Sequence, residues 1–261
     1  MKKDKHFSLG HWIAEKQKQR GHRALERQLD YQERKAGILE NQERDTVLGI
    51  MQRSALIRQM LEKYETITDS AKVLEVGSGA HGLIFGFGKG LAVGIDPLAV
   101  YYKRLFPKWQ GRVQTIAAIG EKLPFADSSF DIVLSDNVID HAENPIAILK
   151  DITRVLKPSG LLYFTVNIHH PIYSLASDVH GLWNAMGIRY EISPFADHTI
   201  HFTENRIKKV FSDLPLKILH ENSNVRELKS NYKGIKSHNP EVLFKKMFFK
   251  NALFQVIAAR K

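Results

Sequence analysis

The fold turns on VLEVGSGAHG, residues 73–82. A short apolar run broken by one acid leads into Gly77-Ser78-Gly79-Ala80-His81-Gly82, which matches G-x-G-x-x-G letter for letter. After a strand, that pattern can hold a pyrophosphate on the N-terminus of a helix. Glu75 stands two residues before the first glycine, so a carboxylate sits at the mouth of what would be an anion site. The ligand has to suit both the glycines and the carboxylate.

Outward from this loop, strand and helix alternate. VLEVG (73–77) reads as the first strand and GLAVGID (90–96) as the second, with a short helix over 81–88 between them. Pro97 opens a helix over 97–106. RVQTIAA (112–118) and FDIVLSD (130–136) are the third and fourth strands. Asn144-Pro145 start a helix over 144–156, and Lys157-Pro158-Ser159-Gly160 stop it. LLYFTVNI (161–168) is the fifth strand, Thr203 caps a helix over 203–214, and strands near 216–221 and 252–259 complete the set. This alternation predicts an α/β fold: a Rossmann-like, seven-stranded, mostly parallel sheet with helices on both faces. Ligands of such sheets lie outside the carboxyl ends of the strands, near the switch point.

Residues 1–70 read as a helical N-terminal extension or cap, and 71–261 as the main domain with a lid insertion over 169–201. In the extension, Val47, Ile50, Met51, Ile57, Met60 and Leu61 recur largely at helical spacing, with Asp45 or Thr46 as the cap. Gly86 and Gly88 read as packing glycines, Leu123-Pro124-Phe125 as a turn and core anchor, and Asp131 as a brace of the sheet.

Composition narrows the class. The 261 residues are 43% hydrophobic and 25% charged, which fits a soluble globular protein. No apolar run is long enough for a bilayer, and the first twenty residues lack the apolar core of a secretory signal, so cytoplasm is expected. The absence of cysteine excludes disulfides, thiolate metal sites and cysteine nucleophiles. The net charge of +10 is uneven: residues 201–261 carry thirteen Lys/Arg against five Asp/Glu, while 71–200 are nearly balanced. The basic end attracts anions in one reading and is solvated helix surface in the other. With no arginine-aromatic nucleic-acid motif beside it, the solvated reading is preferred.

Three ligands compete for the glycine loop. A triphosphate loop requires Gly-Lys-Ser/Thr, and this one continues His81-Gly82-Leu83. A dinucleotide is matched by Asp96, nineteen residues after Gly77 and placed for ribose hydroxyls, but Glu75 would repel its pyrophosphate. S-adenosylmethionine also offers ribose hydroxyls to Asp96. It carries a sulfonium and an amino group in place of phosphate, and so it benefits from Glu75.

The run EKLPFADSSFDIVLSDNVIDH (121–141) resembles the middle of class I S-adenosylmethionine-dependent methyltransferases, within their broad small-molecule group. Leu156-Lys157-Pro158-Ser159-Gly160 is similar to that group's turn before the fifth strand, and HFTENRIKKVF (201–211) to its His-Phe-Thr segment. The likeness covers about residues 71–215. It implies that Glu75, Gly77, Ser78 and Gly79 line the methionine and ribose side and that Asp96 binds the ribose, with Pro97 beside the adenine. It also implies that Ile119 and Gly120 border the adenine and that Asp136 and Asn137 face the sulfonium. Ile119 stands where the group often has an acid for the adenine amino group.

Asp140-His141 carries two readings. His141 serves as a general base near the transferred methyl, or it is a buried histidine bonded to a backbone carbonyl, the preferred reading. On the substrate side, residues 169–201 hold His169, His170, Tyr173, His180, Trp183, Tyr190, His198 and His201. Of these, His169, His170, Tyr173, Trp183 and Tyr190 are the candidate substrate contacts. The histidine spacings match no zinc signature, so no metal is expected. Trp12, Tyr31 and Arg53 are candidates for the opposite wall. The expected function is methyl transfer to a small molecule. The alternatives are an RNA methyltransferase using the basic C-terminal segment and a non-catalytic cofactor-binding protein.

Overall fold

A computed structural model describes residues 26, 28–34, 43–87, 90–173, 201–233 and 247–261. Seven strands form one sheet: β1 (Lys72–Val76), β2 (Leu91–Ile95), β3 (Gln114–Ile116), β4 (Phe130–Asp136), β5 (Leu156–Ile168), β6 (Leu216–Ser223) and β7 (Ala252–Arg260). Their order is β3-β2-β1-β4-β5-β7-β6. The first five strands are parallel neighbours. Only β7 runs against its neighbours β5 and β6. The expected mostly parallel sheet is therefore present.

The chain builds outward from β1 through β2 to β3, then restarts on the other side of β1 with β4. This reversal opens a crevice at the carboxyl ends of β1 and β4. The residues of that crevice come from the loop after β1, the end of β2 and the end of β4.

Both faces of the sheet are covered, so the inner strands are apolar at nearly every position. Alternate residues divide between two cores. Leu74, Val133, Leu162 and Phe164 pack on one side with helix α3 (Pro145–Val155) and helix α4 (Glu204–Ser212). Val73, Ile132, Leu134 and Tyr163 pack on the other with helix α1 (Glu43–Leu61) and helix α2 (Ala99–Leu105). In α3, Ile148, Leu149, Ile152 and Val155 are buried, each contributing about 1.5–3 kcal/mol by leaving water.

Helix starts follow the sequence signals. The Asn144 side chain accepts from the Ala147 amide at 3.0 Å, with Pro145 in the first turn of α3. Thr203 Oγ1 accepts from the Arg206 amide at 3.2 Å at the head of α4. Other signals shifted. Helix α1 is already formed at Glu43, so Asp45 and Thr46 lie in its first turn rather than before it. The expected helix over 81–88 is one 3-10 turn, Leu83–Gly86. Gly86 packs against Ser54 of α1 with no room for a side chain, and Gly88 lies outside the described residues. Helix α5 (Val225–Lys233) was not anticipated, although Val225, Leu228 and Tyr232 repeat at helical spacing.

The turn at Lys157–Gly160 does stop α3, but it projects from within β5. Phe130 pairs with Leu156 and Ile132 with Leu161, so the intervening residues loop out of the ladder. Asp131 braces this point, accepting from the Lys72 amide at 2.9 Å and from Lys157 Nζ at 2.6 Å. Leu123 is buried as the expected anchor. Arg154 holds the following turn by donating to the Phe125 and Leu123 carbonyls and to Asp127. No helix among the described residues is long and apolar enough to cross a membrane.

Candidate active site

The loop after β1 is shaped by two residues with positive φ, Gly77 at 76° and Gly79 at 55°. A side chain on Gly77 would run into Val138, which follows β4, so this glycine serves the packing of two loops. Nothing lies within 4 Å of where a side chain on Gly79 would begin, so its outer face is open. Gly82 admits no side chain either, because the Glu75 carboxylate and the Ser78 carbonyl occupy the space.

The amides of this loop have protein partners. Gly77 and Ser78 donate to the Ile95 carbonyl at 2.8 and 2.9 Å. Gly79 donates to Asp96 Oδ2 at 3.0 Å, and Leu98 to Asp96 Oδ1 at 2.8 Å. Leu83 and Ile84 donate to the two Glu75 oxygens at 3.1 and 2.8 Å. Glu75 thus caps the 3-10 turn where a phosphate would sit in a dinucleotide site. Gln110, which the sequence did not single out, holds the loop's other side by donating to the Gly79 and Ala80 carbonyls.

Glu75 is 1% exposed. Burial pushes its carboxyl up to about 8, against the opposing pull of the two amides. Asp136 raises it slightly further and Arg53 lowers it slightly. Burial also raises Asp96, against the pull of the Leu98 and Gly79 amides. A carboxylate has about four acceptor positions, so both oxygens of Asp96 retain capacity beyond the amides they hold.

Asp136 ends β4 and pairs in register with Thr165 of β5. Its Oδ1 accepts from Thr165 Oγ1 at 2.6 Å and from Arg53 Nη2 at 2.7 Å. The Arg53 side chain is 50% exposed while Asp136 is largely covered, so Arg53 keeps donors facing outward. Its α1 neighbour Ser54 donates to the Leu83 carbonyl at 2.9 Å. Helix α1 is thereby fastened to both lips of the crevice. Asn137 adopts a left-handed φ of 57° and accepts from the Asn167 amide at 3.1 Å. Asparagine tolerates that backbone better than most residues.

Beyond β3, Gly120 packs on Val76 and Ile148 without room for a side chain. Ile119 and Pro97 are exposed. The structure therefore gathers Glu75, Ser78, Gly79, Asp96, Asp136 and Asn137 at the carboxyl ends of β1, β2 and β4. Asp140 and His141 lie in a 3-10 turn after β4. Asp140 is fully buried, whereas the His141 side chain is 43% exposed, its Nε2 at 3.8 Å from Asp140 Oδ1. The reading of His141 as a buried histidine is corrected accordingly.

The second group gathers where β5 ends and β7 begins. His169 is buried, its Nδ1 accepting from the Asn251 amide at 3.3 Å. Its ring lies 4.8 Å from that of His201 and 6.2 Å from that of Tyr173. His170 meets Phe248 and Phe249 edge-on. Phe248, Phe249 and Asn251 carry no local signal that points to this place, because they come from a segment about eighty residues away. Trp183, Tyr190, His180, His198 and Trp12 lie outside the described residues, and Tyr31 is exposed. Among the described residues, no three or more His, Asp or Glu side chains are grouped to hold a metal ion.

Residues 74–164 match the family model for methyltransferase domains. The chain is 27% identical to the malonyl-(acyl-carrier protein) O-methyltransferase of Halorhodospira halophila over 59% of this chain and 53% of that protein. It is 34% identical to an uncharacterized methyltransferase of Mycolicibacterium gilvum over 40% of this chain and 42% of that one. The matches thus span about half the length of these curated relatives, or less. Among solved structures it resembles the geranyl diphosphate C-methyltransferase of Streptomyces coelicolor, captured with magnesium, geranyl diphosphate and S-adenosylhomocysteine. That likeness has a TM-score of 0.55 at 12% identity, over 80% of this chain and 78% of that one. The cyclase SpnF is also similar, with a TM-score of 0.51 at 15% identity over 78% and 79% of the two chains. One fold thus carries two chemistries, and the reaction has to be argued from the site.

Proposed function

We propose that this chain, whose residues 74–164 match a family model for methyltransferase domains, transfers a methyl group from S-adenosylmethionine to a small-molecule acceptor. The observation that carries this reading is the fate of the loop amides. Five that a pyrophosphate would need, those of Gly77, Ser78, Gly79, Leu83 and Ile84, already donate to Ile95, Asp96 and Glu75. The crevice presents three acids, Glu75, Asp96 and Asp136. With those amides engaged and acceptors in their place, it suits a nucleoside with a cationic tail better than a pyrophosphate.

The residues fit that cofactor. Open space above Gly79 admits it close to the backbone, and Asp96 accepts from the ribose hydroxyls. Ile119, Gly120 and Pro97 border the adenine. Glu75 and Asp136 favour the cationic end, with Asn137 beside them. Arg53, anchored by Asp136, offers its outer donors to the methionyl carboxylate.

When bound, the cofactor supplies a methyl group already activated by the sulfonium. The chain's own task is to align the acceptor and exclude water. Helix α1 closes one side of the crevice through Arg53 and Ser54; most of the expected lid, residues 174–200, lies outside the described residues. His141, half exposed beside Asp140, takes the proton where the acceptor must lose one.

Incubation with methyl-labelled S-adenosylmethionine and separated small-molecule and RNA fractions tests the reading. Label is expected in the small-molecule fraction. Label confined to RNA, or cofactor binding without transfer to either fraction, contradicts it.

A further inference from the structure

Three segments remote in sequence meet at the carboxyl end of β5. His170 follows the strand and donates its amide to the Phe249 carbonyl at 3.0 Å. Its ring stands edge-on to Phe248 and Phe249, with centroids at 5.0 and 5.7 Å. From α5, Lys229 places its Nζ 5.3 Å from the Phe249 ring centre. Phe249 is buried, His170 half-buried and Lys229 exposed, so the two polar groups look outward from one apolar floor.

No carboxylate among the described residues pairs with either group. The other charged groups nearby in sequence are Arg226, Glu227 and Lys233 on α5, and Glu241, Lys245, Lys246 and Lys250 around the two phenylalanines, of which Glu241, Lys245 and Lys246 lie outside the described residues. Glu227 is two positions from Lys229, a spacing that does not put two side chains on one helix face.

His170 is set up as a donor. Its Nδ1 accepts from the Ile172 amide at 3.3 Å, so the neutral ring carries its proton on Nε2. Burial lowers its affinity for a second proton, and the charge of Lys229 lowers it further. A cation and an N–H donor thus flank one apolar floor, with no carboxylate among the described residues paired to either.

We propose that Lys229 and His170 form the subsite for an anionic group of the methyl acceptor, a carboxylate or a phosphate, with Phe248 and Phe249 as its floor. The term acceptor rests on the methyltransferase reading; the anion site stands on its own geometry. Lys229 supplies charge and His170 Nε2–H a directed hydrogen bond, while the phenyl rings take the adjoining apolar part of the molecule. The placement is consistent with the crevice, since cofactor residues and this subsite occupy the same end of the sheet. The acceptor class that follows is a small amphipathic acid or phosphoester.

The test uses the full chain with isotope-labelled histidine, the His170 signal being assigned through His170→Gln. Inorganic phosphate and acetate are titrated separately, and S-adenosylhomocysteine binding is measured in parallel by calorimetry. A saturable shift of the His170 signal is expected, with its apparent pKa raised by about one unit by the bound charge. Lys229→Gln should weaken anion binding roughly tenfold, the loss of one charge-assisted contact, and leave S-adenosylhomocysteine affinity unchanged. Lys63→Gln, in the turn after α1, should change neither. Response to phosphate alone assigns a phosphorylated acceptor, and response to acetate a carboxylated one. No saturable shift with either anion, or equal losses in the two lysine variants, overturns the subsite. Failure of S-adenosylhomocysteine to bind while the anions still do would overturn the cofactor reading and spare this one.

Discussion

At the scale of single residues, the decisive group is Glu75. It was legible as an oddity, an acid beside glycines that favour anions, and the structure explains how it is tolerated: two amides of the 3-10 turn hold it. The sequence could not reveal that these amides are turned inward, because amide direction depends on the Gly77 and Gly79 backbone. Burial holds the carboxyl at about 8, so at neutral pH it is largely protonated before ligand arrives. A cationic ligand favours the ionised form. Cofactor binding at pH 7 should therefore release about one proton, seen as calorimetric heats that vary with buffer ionisation enthalpy and lost in Glu75→Gln. Heats independent of buffer would contradict the assignment. The same shift has a stability consequence. Because the folded value lies above the unfolded one of 4.5, the stabilisation is complete below pH 4.5 and declines as pH rises through 8.

At the scale of elements, the strands were legible because both faces of the sheet are covered, leaving runs such as FDIVLSD and LLYFTVNI apolar nearly throughout. Helix caps at Asn144 and Thr203 were legible for the same reason they work: each side chain accepts a backbone amide. The 81–88 helix was overestimated because its N-terminal turn is fixed by Glu75 from β1, a contact that periodicity does not register. Helix α5 was overlooked although both of its signals were present: Asn224 stands immediately before it with Glu227 three residues on, and Val225, Leu228 and Tyr232 recur at helical spacing. The two glycine-loop elements yield a prediction. Gly77→Ala forces a side chain into Val138 at a φ of 76°, and should destabilise the fold by about 1–3 kcal/mol. Adding Val138→Ala should restore the part due to overlap and leave the backbone strain. Chemical denaturation measures both; a double variant no more stable than the single one would show that Val138 is not the obstacle.

For the whole molecule, the strand order creates one crevice, and the chain sends acids from three strand ends into it. Helix α1 then binds both lips through Arg53 and Ser54. The grouping of Glu75, Ser78, Gly79, Asp96, Asp136 and Asn137 in one crevice was readable because they sit at the ends of parallel strands, whose carboxyl ends share one edge of the sheet. The proposed anion subsite was readable only as a histidine-rich stretch. Its partners Phe248, Phe249 and Lys229 come from segments brought near by the antiparallel β7, a long-range event with no local signal. The central claim is that this crevice takes an adenosyl ligand with a cationic tail in preference to a pyrophosphate. The most direct measurement is calorimetric titration of the purified chain and of Asp96→Ala with S-adenosylhomocysteine, with NAD in parallel. The account predicts saturable one-to-one binding of S-adenosylhomocysteine to the native chain, severe loss in folded Asp96→Ala, and no binding of NAD. Binding of NAD alone, or undiminished affinity in Asp96→Ala, would contradict it.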